Sequence, residues 1–194
     1  MEESRKRLFI SRRTANRERE KLIKLALENG CNTLVFSLND RFFKKTNAKY
    51  TKLISRYDLN IEAGGRDLPL LLPRRLFFVN RELFRMEHGR RRIKHHFCPT
   101  NPQTTAIIGS NAKAYFSGAL RKVTLPRVFH LLPDEGCDNI WCACPACRAF
   151  SPSEQYLFAM KTVADILYQL DPEASIINFD LEEKEPKAPG TVLH

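Results

Sequence analysis

The sequence predicts an α/β protein in which parallel strands alternate with helices. Three observations carry this expectation. Short apolar runs recur between longer amphipathic stretches along most of the 194 residues. Helix-stop and helix-start signals separate them. A strand followed by a helix and another strand needs a crossover, and repeated crossovers imply a parallel sheet. A hydrophobic content of 43% suits one domain with its own core.

Residues 8–11 are a possible first strand. Residues 18–28 read as a helix with Leu22, Ile23, Leu25 and Ala26 on one side, stopped by Asn29-Gly30. Residues 33–38 (TLVFSL) form a buried strand ending in Asn39-Asp40. A second helix is expected over 48–57 and a third strand over 60–63, ending at Gly64-Gly65-Arg66-Asp67. Residues 67–98 are the least regular. Stretches 68–72 and 75–79 suit short strands or a long insertion under the core. Asn101-Pro102 opens a helix to about Phe116, although Gly109 costs it ~1 kcal/mol relative to alanine. Residues 127–132 are a fourth strand. Ser151-Pro152-Ser153-Glu154 is a capping box opening a helix that Pro172 ends. Residues 175–179 are a fifth strand, and 182–194 a charged, irregular tail. Residues 1–181 thus form the domain. Five strands fit an open sheet or part of a (β/α)8 barrel; a whole barrel takes about 250 residues, more than this chain has.

Composition excludes several classes. No apolar run approaches the roughly 20 residues of a transmembrane helix. Residues 1–20 are charged and lack the apolar core of a signal peptide, so the chain reads as cytoplasmic with no membrane partner. Six cysteines without an export signal favour reduced thiols or metal ligands over disulfides. No Walker loop, dinucleotide fingerprint or nucleophile elbow is present. Net charge is +10, concentrated in residues 1–100, which hold 24 Lys+Arg against 11 Asp+Glu. The run Arg90-Arg91-Arg92-Ile93-Lys94-His95-His96 would attract phosphates, but it reads better as a solvated loop, since no nucleic-acid motif accompanies it.

The chemistry concentrates in residues 128–152 (VFHLLPDEGCDNIWCACPACRAFSP). A strand ends in adjacent carboxylates, Asp134 and Glu135, and α/β enzymes place their reactive groups just past strand ends. Cys137, Cys142, Cys144 and Cys147 follow, spaced C-x4-C-x-C-x2-C, with the only tryptophan, Trp141, among them. Four thiolates can hold a tetrahedral zinc that pins the loop and leaves no open coordination position. Cys142 and Cys144 are close for a shared site, so Cys137 or His130 would complete the set. Inert thiols packed around Trp141, or a redox role, are the rival readings. Cys31 and Cys98 read as core thiols. Trp141 suits either sugar stacking or anchoring the loop. Asn39, Asp40 and Arg66 follow the second and third strands and would face a groove there. His96, with His95, precedes Phe97-Cys98-Pro99 and would line it too.

Residues 141–148 (WCACPACR), preceded by Pro133-Asp-Glu-Gly136, resemble a motif of largely uncharacterised bacterial proteins in the glycoside-hydrolase TIM-barrel superfamily. Residues 97–102 (FCPTNP) and 30–34 (GCNTL) are similar to two further segments of that family. The resemblance runs over most of residues 20–180. It implies an incomplete (β/α)8 TIM barrel with a sugar-binding groove at the C-terminal ends of its strands. It also implies hydrolysis of a glycosidic bond, with Glu135 as general acid/base and Asp134 orienting a substrate acetamido group. Asp40, Asp67 and Asp180 are candidate second carboxylates. An ordinary polar turn is the alternative for Pro133-Asp-Glu-Gly136. At the level of the whole chain, the alternatives are a non-catalytic remnant or carbohydrate-binding module with a structural zinc loop, and a basic nucleic-acid-associated protein.

Overall fold

The computed structural model describes residues 6–11, 14–44, 48–133 and 140–177. Its centre is a five-stranded sheet of β1 (Arg7–Ile10), β2 (Thr33–Phe36), β3 (Asn60–Gly65), β6 (Val128–Leu131) and β7 (Ser175–Ile177). All four pairings are parallel, and the strands lie side by side in chain order. Between them come α1 (Asn16–Glu28), the short α2 (Arg41–Lys44), α3 (Ala48–Arg56), α4 (Pro102–Ala119) and α5 (Pro152–Leu170). The strand–helix alternation read from the sequence is therefore present, with all five strands in place. The tail, 182–194, and Asp180 lie outside the described residues.

Strands that step one place in the same direction through right-handed crossovers carry their helices on one face. Alternation along each strand sorts the side chains accordingly. Ile10, Leu34, Phe36, Ile61, Ala63, Phe129 and Leu131 enter the main core. Phe42 of α2 stacks on Phe36, with centroids 4.4 Å apart. Phe116 of α4 meets Phe129 edge-on at 5.1 Å. Helices α4 and α5 pack on each other at Gly109, where an added Cβ would meet Thr162 Cγ2 at an ordinary 3.7 Å. Gly109→Ala should therefore fit and stabilise the protein by up to ~1 kcal/mol through helix propensity. A thermal melt checks this, and a lowered Tm would show that the α4–α5 contact has no room.

The opposite face carries Arg7, Phe9, Val35, Glu62 and His130 by the same alternation. Phe9 on β1 meets His130 on β6 edge-on at 5.2 Å. These strands are three places apart, about 14 Å on a flat sheet. The sheet must curl toward this face for the rings to meet. Glu62, fully buried, accepts from Arg7 Nε at 2.7 Å and lies 2.6 Å from His130 Nε2, linking β1, β3 and β6 on the concave side. Among the described residues β1 and β7 pair on one side only. Gly64 permits the close β3–β6 approach: its φ is +117° and a Cβ there would fall 1.9 Å from the His130 carbonyl oxygen.

The irregular segment is an insertion after β3. Residues 68–72 and 75–79, read as possible strands, form 3-10 turns instead, at Leu68–Leu71 and Arg74–Phe78. Pro69 and Pro73 remove two ladder donors and explain the difference. The basic run then forms one arm of a hairpin, β4 (Met86–Glu87) against β5 (Arg90–Arg91), turned at His88 (φ 48°) and Gly89 (φ 72°).

Candidate metal centre

Four buried thiols converge where two loops meet. Cys98 ends the β3–α4 insertion, and Cys142, Cys144 and Cys147 belong to the β6–α5 loop. All four Sγ atoms lie within 4.8 Å of one another. Cys98 Sγ is 3.6 Å from Cys147 Sγ and 3.8 Å from Cys144 Sγ. A metal bound tetrahedrally at about 2.3 Å per sulfur requires sulfurs about 3.8 Å apart, so the group is dimensioned for one ion. Cys98, read from sequence as a core thiol, is instead the fourth member. Cys137 lies outside the described residues. His130, the other candidate fourth ligand, sits in β6 against Glu62.

Local structure explains how the loop arrives here. Cys144-Pro-Ala-Cys147 folds as a tight turn, with the Cys147 and Arg148 amides both donating to the Cys144 carbonyl at 2.9 Å. Gln155, buried on the first turns of α5, holds the rest. Its carbonyl accepts the Cys142 amide at 3.0 Å, while its NH2 donates to the carbonyls of Cys142, Cys147 and Phe150. Ser151 and Glu154 close the α5 capping box expected from the sequence. On the other side, Asn101 caps α4 through the Gln103 and Thr104 amides, fixing Cys98 three residues earlier.

Polar groups from both loops reach the sulfurs. Cys142 Sγ accepts the Met86 amide at 3.2 Å and faces Arg91 Nη1 at 3.7 Å. Thr100 Oγ1 lies 3.0 Å from Cys147 Sγ. Such outer contacts orient ligands and stabilise thiolates. Hydrogen bonding from Cys142 and then Cys147 holds the Cys98 thiol far below its usual range. Cys147 moves the other way, raised by its contacts with Cys142 and Cys98 and by burial. Cys142 is lowered by Cys147, but Cys98 and burial outweigh this and push it up to about 11. Cys98 is thus the thiol favoured as an anion, and Cys142 and Cys147 are held protonated. A cation between the sulfurs would remove that repulsion and favour the thiolate forms. The donor set can bind a metal ion.

The other site candidates are placed as follows. Trp141 is buried, stacked face to face on the fully buried His96 at 4.2 Å, with Phe97 and Tyr156 against its edges. It anchors the loop, and His96 is the partner it stacks on. Asp40 is buried and takes both terminal nitrogens of Arg19, at 3.0 and 2.7 Å, while accepting the Phe42 amide. Asn39 is half-buried beside Ser37 Oγ at 3.1 Å. Asp67 is buried and accepts from Leu38 N and Ser37 Oγ. Arg66 is exposed at the strand ends and donates to the Pro133 carbonyl at 3.2 Å. Asp134 and Glu135 lie outside the described residues. Sequence reasoning missed the Arg7–Glu62–His130 group. Its signal was a charge inside the strand, Asn60-Ile-Glu-Ala63.

Among the described residues no helix is long and apolar enough to cross a membrane. No family model matches the chain, and neither does any curated protein or solved structure.

Proposed function

We propose that this chain is a zinc-stapled, glycoside-hydrolase-like protein built on an incomplete (β/α)8 barrel. It would hydrolyse a glycosidic bond with Glu135 as general acid/base and Asp134 as the orienting carboxylate. The motif resemblance supplies the reaction. One observation supports the reading: the described residues that flank 134–139 in sequence, Pro133 and Trp141, both belong to the C-terminal edge of the parallel sheet. Before them, Leu132 donates to the Gly65 carbonyl at 2.8 Å and Arg66 holds Pro133. After them come buried Trp141 and the thiol cluster. That edge is where parallel α/β folds collect their reactive groups. Soft thiolates in tetrahedral array favour zinc, and four protein ligands make it structural. Its part in this reading is to hold together the insertion and the loop of residues 140–150.

Glu135→Gln should leave the melt of the metal-loaded protein unchanged and lower turnover of aryl glycosides by at least about 10²–10⁴-fold, the contribution of a general acid/base. Equal turnover in the variant would remove Glu135 from the reaction. A second reading, a non-catalytic carbohydrate-binding remnant, is favoured by the engagement of both Asp40 and Asp67 in buried hydrogen bonds. That leaves Asp180 as the candidate second carboxylate from a strand end. The remnant predicts glycan binding without turnover in the unmodified protein.

A further inference from the structure

The β3–α4 insertion is strongly basic, and its charge is mounted on a fixed scaffold. Residues 66–95 hold nine Lys+Arg against three Asp+Glu. The acids are already engaged. Glu82 takes Arg91, Glu87 takes Arg85 and Arg92, and Asp67 takes Ser37 and Leu38. Arg66, Arg75, Arg81, Arg90 and Lys94 remain exposed, with no acidic partner among the described residues. The segment bearing Arg90 and Lys94 is held at several points. Arg74 donates to the Ile93 and His95 carbonyls, Arg85 Nε to the Lys94 carbonyl at 3.2 Å, and the Arg92 amide to Arg85 O at 2.9 Å. Met86, at the hairpin's base, bonds to Cys142 and Ala143 in the thiol loop. A solvated basic loop, the reading its sequence favours, would not be tied in this way. Phe78 and Val79, 79% and 83% exposed, stand on the same insertion between Arg75 and Arg81.

We infer that this insertion is a polyanion-binding surface, and that its ligand is an acidic polysaccharide bearing carboxylate or sulfate groups. The inference rests on the glycoside-hydrolase reading, since it names the substrate class for that same edge of the sheet. Guanidinium groups bind carboxylate and sulfate oxygens in pairs, and the held backbone beneath Arg90 and Lys94 reduces the entropy lost on binding. Phe78 adds one apolar ring for the face of a sugar. Single-stranded nucleic acid binds through a series of aromatic platforms for successive bases, and this patch has one exposed ring. Insertion and thiol loop leave the sheet at the same edge, from β3 and β6.

The test is calorimetric titration of metal-loaded Glu135→Gln protein, which leaves the polymer uncut, with hyaluronan, chondroitin sulfate, neutral dextran and a single-stranded oligonucleotide. Hyaluronan or chondroitin sulfate should bind and dextran should not, with affinity falling steeply as salt rises. Arg90→Gln/Lys94→Gln should keep its metal and its melt, weaken the acidic glycan about tenfold and flatten the salt dependence by about two charges. Tighter binding of chondroitin sulfate than of hyaluronan identifies sulfate as an added recognised group, and equal binding identifies the carboxylate they share. Dextran binding as well as the acidic glycans, tighter binding of the oligonucleotide, or an unchanged double variant would each overturn the assignment. Turnover by the unmodified protein is read separately. Binding without turnover would sink the hydrolase reading and leave the surface standing.

Discussion

Cys98→Ser is expected to strip the metal from the protein and lower its melt to that of the chelator-treated wild type, as fully as Cys144→Ser. Cys98 lies 3.6 and 3.8 Å from two of the other sulfurs and is the only ligand contributed by the insertion. Losing it removes the covalent link between two loops that otherwise meet through a few hydrogen bonds. Structural zinc contributes on the order of 10 kcal/mol to the folding of small thiolate sites, and a three-thiol remnant keeps little of that. Cys31→Ser, at a half-buried thiol outside the cluster, should leave metal content unchanged. Cys137→Ser should do the same, because the set is complete without it. Metal analysis of the purified variants, with melts in parallel, checks all four. Metal retained by Cys98→Ser and lost by Cys137→Ser would reverse the assignment.

Asp40→Ala should destabilise the protein by about 3–5 kcal/mol, the usual result of leaving one member of a buried ion pair alone. The Arg19 and Asp40 side chains are 6% and 1% exposed, and the contact is bidentate. Arg19 also holds the carbonyls of Thr14 and Ser11, so it ties the β1–α1 turn to the end of β2. Without Asp40 the guanidinium stays in that turn uncompensated, and α2 loses its bond to the Phe42 amide. Urea unfolding at constant metal loading measures the effect. A substrate-binding role for Asp40 predicts the reverse pattern, with weakened glycan affinity and intact stability.

The fold was legible because its signals are local. Thr33–Phe36 and Val128–Leu131 are apolar at three of four residues, with Thr33 and His130 the exceptions, and buried at all four, as strands covered on both faces are. Asn101-Pro102 and Ser151-Pro152 mark helix starts with an oxygen acceptor and a proline at N1. The insertion was less legible because its order comes from contacts distant in sequence. Arg74 reaches 19 residues ahead to Ile93, and Met86 reaches 56 to Cys142. The metal set divides along the same line. The three thiols from 142 to 147 announce themselves by spacing, whereas Cys98 lies 46 residues from Cys144 and joins only through the tertiary fold. Its hint was position: it stands in a loop directly before a capped helix, off any periodic apolar face. Trp141 was legible as notable but not in its role. A lone tryptophan among cysteines suits a sugar platform or an anchor equally, and burial against His96 is a tertiary fact.

The most direct test of the metal centre is zinc K-edge X-ray absorption on protein purified without added metal. The expected result is one zinc per chain with four sulfur scatterers at about 2.3 Å and no nitrogen or oxygen bound to it. A shell of three sulfurs with a nitrogen or oxygen, or protein that carries no metal, would contradict it.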